Sequence, residues 1–214
     1  TATTLDNAFA KVKAEGRKAF VTFTMAGDPD EQNSLGILES LAKQVDILEI
    51  GMPFSDPMAD GPAIQAAGLR ALTAGATLAS ILTLARNFRA KHEDTPLVLM
   101  GYLNPVYVYG YEKFARDAAA AGVDGIILVD LPPEEAPELE PLLTRHGIAL
   151  VRLIAPTSVP DRVPLLVDGA SGYLYYISMT GVTGAQQAAP VGNIGHSLAA
   201  IRAMTHLPVC VGFG

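Results

Sequence analysis

The chain has 214 residues, half of them hydrophobic, a net charge of −7 and one cysteine. That length can bury a large core in one domain, and no apolar run approaches the ~18–20 residues that span a bilayer. The charge and the lack of a basic cluster argue against nucleic acid and anionic membrane as partners, and a lone Cys210 excludes an internal disulfide and fits a reducing cytoplasm.

Taken in order, the chain alternates helical and strand patterns. An amphipathic helix is predicted over residues 4–15; its alternation of charged and apolar residues does not suit a signal peptide. Short, apolar strands follow at 19–25, 46–51, 96–101, 125–129, 149–154, 172–177 and 208–212. Helices are predicted at 30–44, 63–74, 77–91, 111–121, 133–146, 160–168 and 194–204. Asp30, Thr77 and Pro133 with Glu134 and Glu135 supply start signals. Strands that read as near-continuous apolar runs, separated by helices, imply a parallel α/β sheet.

Two architectures compete. A doubly wound sheet would carry a Gly-rich turn after its first strand, whereas the turn here is MAGDPD. A (β/α)8 TIM barrel puts its chemistry at the C-terminal ends of the strands. Glu49, Tyr102, Asp130 and the GFG after Val211 all sit there, which favours the barrel, with an extra N-terminal helix. Seven strands are visible and the eighth βα unit is missing from this sequence, so we expect the single domain over residues 1–214 to be incomplete. The protein is expected to continue for on the order of 50 residues, to the usual barrel length.

The most informative segment is DILEIGMPFSDPMADG at 46–61. Alternation along a strand puts Ile47, Glu49 and Gly51 on one face and Leu48 and Ile50 on the other. With Leu48 and Ile50 packed on helices, Glu49 points inward, and a second carboxylate, Asp60, stands on the loop just beyond. Such a pair suits proton transfer; a buried structural Glu paired with a basic residue is the alternative. The GVTG after the sixth strand and the GFG after the seventh are open to two readings, anion cradles or ordinary turns. Asp130 is expected to cap a helix or accept a loop hydrogen bond. The four histidines form no metal-spaced pair, no strand carries a Lys for a Schiff base, and no GxSxG or Cys–His arrangement is present.

The segments FVTFTMAGDP, DILEIGMPFSDPMADGPAIQ, MGYLNPVYVYG, GIILVDLPPEE, YYISMTGVTG and VGFG together closely resemble the tryptophan synthase alpha subunit family. The resemblance implies a (β/α)8 barrel that cleaves indole-3-glycerol phosphate to indole and glyceraldehyde 3-phosphate. It implies no cofactor on this chain, pyridoxal phosphate belonging to a beta subunit that takes the indole within an alpha2beta2 heterotetramer. By motif, Glu49 matches the acid–base carboxylate and Asp60 the carboxylate that contacts the indole N–H. Tyr175 matches a tyrosine lining the site, and Phe23, Ile64, Met100, Tyr102, Ile127 and Phe213 match its apolar walls. Gly184 and Gly214 match glycines that hold the phosphate, and Thr183 a loop residue that closes over Asp60. Residues 53–60 and 179–193 match the loops used for closure and for contact with the beta subunit. The family's other phosphate contacts lie on a Gly–Ser turn after an eighth strand, which this sequence does not contain. Position 179 is Met where many members have Arg. The alternatives to this reading are a stand-alone lyase that releases indole, a non-catalytic barrel that senses a phosphate ligand, and an inert folding fragment.

Overall fold

The computed structural model describes residues 3–156, 158, 162–178 and 191–213. Helix α1 (Thr4–Ala14) opens with a reciprocal capping box between Thr3 and Asp6. Strand β1 (Val21–Met25) follows, then α2 (Glu31–Leu41), whose cap is Asp30 accepting from the Asn33 N–H, and β2 (Ile47–Gly51). Two helices come next, α3 (Pro62–Thr73), with Pro62 in its first turn, and α4 (Leu78–Arg89), started by a Thr77–Ser80 capping box. Strand β3 (Leu97–Gly101) leads to α5 (Leu103–Tyr109) and α6 (Tyr111–Ala120), and β4 (Gly125–Leu128) to α7 (Glu140–Arg145). Strand β5 (Ala149–Ile154), helix α8 (Val163–Val167), strand β6 (Leu174–Ile177), helix α9 (Val191–Arg202) and strand β7 (Val209–Gly212) complete the order.

The strands form one parallel sheet in sequential order, β1 to β7, each paired with its neighbours in the chain. The sheet is curled in the manner of a TIM barrel, and alternation sorts its side chains into two environments. Ile47, Val98, Ile127, Val151 and Tyr173 face the interior, where Leu5 and Phe9 of α1 join them. Leu48, Ile50, Leu97, Leu99 and Ile126 face outward onto Leu38 of α2, Leu82, Leu84 and Phe88 of α4 and Phe114 of α6. A smaller outer cluster joins Ile154, Leu174 and Tyr176 to Val163 of α8 and to Ile194 and Ile201 of α9. The N-terminal helix therefore packs Leu5 and Phe9 against the interior cluster, and Phe9 holds its ring 5.7 Å from that of Tyr173.

Two helical expectations are corrected. The helix predicted over 133–146 is a 3-10 turn, Pro133–Glu138, followed by the short α7, because Pro137 and Pro141 have no N–H to donate and interrupt the α ladder. The stretch after β3, where no helix is predicted, contains α5. Its Pro105 lies in the first turn, where the missing N–H has no intrahelical partner in any case, and Gly110 at a φ of 92° ends it.

Candidate active site

Glu49 sits in the middle of β2, and all five residues of that strand are buried. Its parity with Ile47 sends it to the barrel interior, as the alternation requires, and only 3% of it is exposed. Its partner is the phenol of Tyr173, which donates to Oε1 at 2.6 Å. Among the described residues no Lys, Arg or His pairs with it, so the structural ion pair weighed from the sequence is absent. Burial pushes the Glu49 carboxyl up to about 7, with the Tyr173 hydrogen bond pulling the other way. Burial and then the Glu49 charge raise the neighbouring Tyr175 phenol and the Cys210 thiol, each to about 12. Cys210 is thus protonated near neutral pH and belongs to the packing.

Asp60 lies on the loop between β2 and α3. Its N–H donates to the Pro57 carbonyl, and its own carbonyl accepts from the Gln65 side-chain amide at 2.8 Å. Gly61 caps α3 without a side chain. Burial raises the pKa of Asp60, and the nearby Tyr102 phenol opposes that. Asp130, as expected, accepts a loop hydrogen bond, from the Leu103 N–H at 2.7 Å, and thereby satisfies a donor at the start of α5. Arg152 of β5 turns to the helical side, where it pairs with Glu140 at 2.9 Å.

The predicted walls fall on the interior side and around its rim. Ile127 is fully buried inside the barrel, Met100 and Tyr175 pack on the same cluster, and Tyr102 is 2% exposed at the end of β3. Phe23 and Ile64 pack with Met25 and with Ala67 and Ala71 of α3. Phe23, Glu49, Tyr175 and Phe213 share the lining of a cavity of about 1250 Å³ between β1 and β7, and Phe213 is largely exposed at its margin. Thr183, Gly184 and Gly214 lie outside the described residues. Sequence reading missed Tyr173. The usable signal was its parity: residues 173, 175 and 177 alternate with outward-facing Leu174 and Tyr176, which puts two phenols on the face that carries Glu49.

A family model for the tryptophan synthase alpha chain matches residues 9–214. The chain belongs to this family. The tryptophan synthase alpha fold also recurs in solved structures. The chain is 39% identical to tryptophan synthase subunit alpha from Legionella pneumophila, at a TM-score of 0.90, covering 100% of this chain and 79% of that one. It is 32% identical to a chain of the aminoacrylate-bound tryptophan synthase of M. tuberculosis, with a TM-score of 0.89 over 100% of this chain and 81% of that one. In the tryptophan synthase α2β2 complex of Pyrococcus furiosus, a chain matches 92% of this one and 78% of itself, at 37% identity and a TM-score of 0.84.

Proposed function

We propose that the chain cleaves indole-3-glycerol phosphate to indole and glyceraldehyde 3-phosphate, with Glu49 as the acid–base group and Asp60 as the partner of the indole N–H. The observation that carries the reading is Glu49 itself: an inward carboxyl, unpaired with any cation among the described residues, with a pKa near 7. Both of its protonation states are populated at neutral pH, which a group that must first give and then take a proton needs.

The chemistry is a retro-aldol step. The protonated carboxyl of Glu49 gives its proton to indole C3, and positive charge develops at the ring nitrogen. The carboxylate so formed takes the proton of the C3′ hydroxyl. The C3–C3′ bond then breaks, its electron pair returns to the ring, and C3′ leaves as the aldehyde. The electron flow begins and ends on the substrate, so no cofactor on this chain is required. Asp60, ionised, stabilises the charge on nitrogen; a positioned carboxylate in a site shielded from water is worth most at that moment. Phe23, Ile64, Met100, Tyr102, Ile127, Tyr175 and Phe213 supply apolar surface for the ring, Gly184 and Gly214 are proposed to hold the phosphate, and Thr183 to act with Asp60.

We propose a tryptophan synthase beta subunit, the pyridoxal phosphate chain, as the partner that receives the indole in an alpha2beta2 assembly. Met58 is 76% exposed on the loop after β2, and Tyr107 and Val108 are 66% and 77% exposed on α5 after β3. These loops follow adjacent strands at the barrel's C-terminal end and are joined by a hydrogen bond from Ala59 N–H to the Tyr102 hydroxyl. Large apolar residues displayed together at a site mouth suit a partner surface, and they favour the paired enzyme over a stand-alone lyase. A cytoplasmic location is proposed with it; among the described residues no single helix is long and apolar enough to cross a membrane. The reading is tested by incubating the purified protein with indole-3-glycerol phosphate and following indole, with and without a beta subunit. Equimolar indole and glyceraldehyde 3-phosphate, released faster with the beta subunit, are expected. No indole in either case would contradict the proposed activity.

A further inference from the structure

Tyr102 was read from the sequence as a wall of the site, a role that needs only its ring. Its hydroxyl does more. The loop from Pro53 to Asp60 contains no regular structure, and Ser55, Asp56, Met58 and Ala59 are exposed. Among the described residues, few interactions tie residues 54–60 to the rest of the molecule. One is the Gln65 amide on the Asp60 carbonyl. The others converge on Tyr102. Its ring packs on Phe54 at 5.4 Å with a tilt of 34°, which holds the start of the loop. Its hydroxyl accepts the Ala59 N–H at 2.9 Å, which holds the end.

A phenol that accepts from a backbone N–H still has its own proton to donate, and the Asp60 carboxylate, on the next residue of the loop, acts on this phenol electrostatically. Tyr102 is itself anchored from the other side: Asp130 accepts from the N–H of Leu103, the next residue. One buried side chain, 2% exposed at a strand end, therefore connects the rigid sheet to the loop that carries Asp60.

We propose that Tyr102 is a positioning residue, whose hydroxyl fixes the Asp60 loop through Ala59 and orients the Asp60 carboxylate for the N–H of a bound indole-type heterocycle. The proposal deepens the proposed function and rests on it. The phenol is pushed up to about 12, first by burial, and so remains a donor across the working range of the site. Burial raises the pKa of Asp60, and the Tyr102 phenol acts against that rise. Without the hydroxyl the loop loses its anchor near Asp60, and the carboxylate is protonated at higher pH.

The test is Tyr102→Phe, which keeps the ring and its contact with Phe54 while removing only the hydroxyl. Three quantities are compared with wild type: kcat and KM for indole formation, the acid limb of the kcat profile, and hydrogen–deuterium exchange of the peptide spanning residues 54–60. The expected result is a kcat about 10–100-fold lower with KM changed less than about threefold, since the orientation lost is needed mainly in the transition state. The acid limb is expected to move to higher pH, and the Ala59 amide to exchange about tenfold faster or more. A mere wall role predicts no change in any of the three, and wild-type values of the acid limb and of exchange would overturn the proposal. The exchange measurement does not depend on turnover. A wild-type protein that forms no indole would sink the proposed function, and exchange in Tyr102→Phe would still decide whether the hydroxyl holds the loop.

Discussion

Glu49 is held in a setting that disfavours its charge, and this has a consequence for stability as well as for chemistry. Its carboxyl titrates at about 7 in the folded protein, against an ordinary value of 4.5. Between those pH values the folded state binds more protons than the unfolded chain, so stability falls as pH rises through that window and levels off above 7. At ~1.4 kcal/mol per pH unit, the ionised form costs roughly 3 kcal/mol. Glu49→Gln removes the charge and leaves an oxygen to accept from Tyr173. It should therefore be more stable than wild type at pH 8, with the gap closing toward pH 4.5. Urea denaturation at the two pH values measures this; an equal gap at both would show that Glu49 is not strained when ionised. The presence of Glu49 on an inward strand face was legible from alternation alone. Its partner was not, because Tyr173 lies 124 positions away and nothing local announces the pairing.

At the scale of elements, close packing between strands decides how the walls stand. Gly51 is buried on β2, on the face that carries Glu49, and Met25 is its partner in the register on β1, two residues beyond Phe23. A Cβ placed on Gly51 would lie 2.5 Å from Cζ of Phe23 and 3.0 Å from Sδ of Met25. Gly51→Ala must therefore push the Phe23 ring out of place, at a cost of about 1–3 kcal/mol for an overpacked site. A raised KM for the substrate should accompany it. Phe23→Leu in the same chain should restore much of the stability, which a double-mutant cycle would show; strict additivity would place the strain elsewhere. The seven strands were legible because buried parallel strands leave short apolar runs between helices. The interruption by Pro137 and Pro141 was available in the sequence too, but Glu134 and Glu135 after Pro133 read as the start of an ordinary helix. Helix α5 was obscured by its brevity and by Pro105, which signals a turn unless its place in the first helical turn is known.

For the whole molecule, the sequential order from β1 to β7 brings the loops after β2, β3 and β4 side by side, and the Ala59–Tyr102 and Leu103–Asp130 hydrogen bonds join them. The architecture followed from the strand–helix alternation and from where Glu49, Tyr102 and Asp130 fall. The exposure of Tyr107 and Val108 at this end could not be read from sequence, since an apolar residue in a helix is as often turned inward. If that surface meets a beta subunit, Val108→Asp should weaken the association at least tenfold, by burying an unpaired charge, and should leave the intrinsic rate of indole formation unchanged. Titration of the rate against beta subunit separates the two; an unaltered titration would put the interface elsewhere. The measurement that bears most directly on the whole account is the rate of indole formation by Glu49→Gln at saturating substrate. A loss of about 10²–10⁴-fold with substrate binding retained is expected if Glu49 both gives and takes the proton, as proposed. Retention of more than about a tenth of the wild-type rate would contradict the assignment of Glu49 as the acid–base residue.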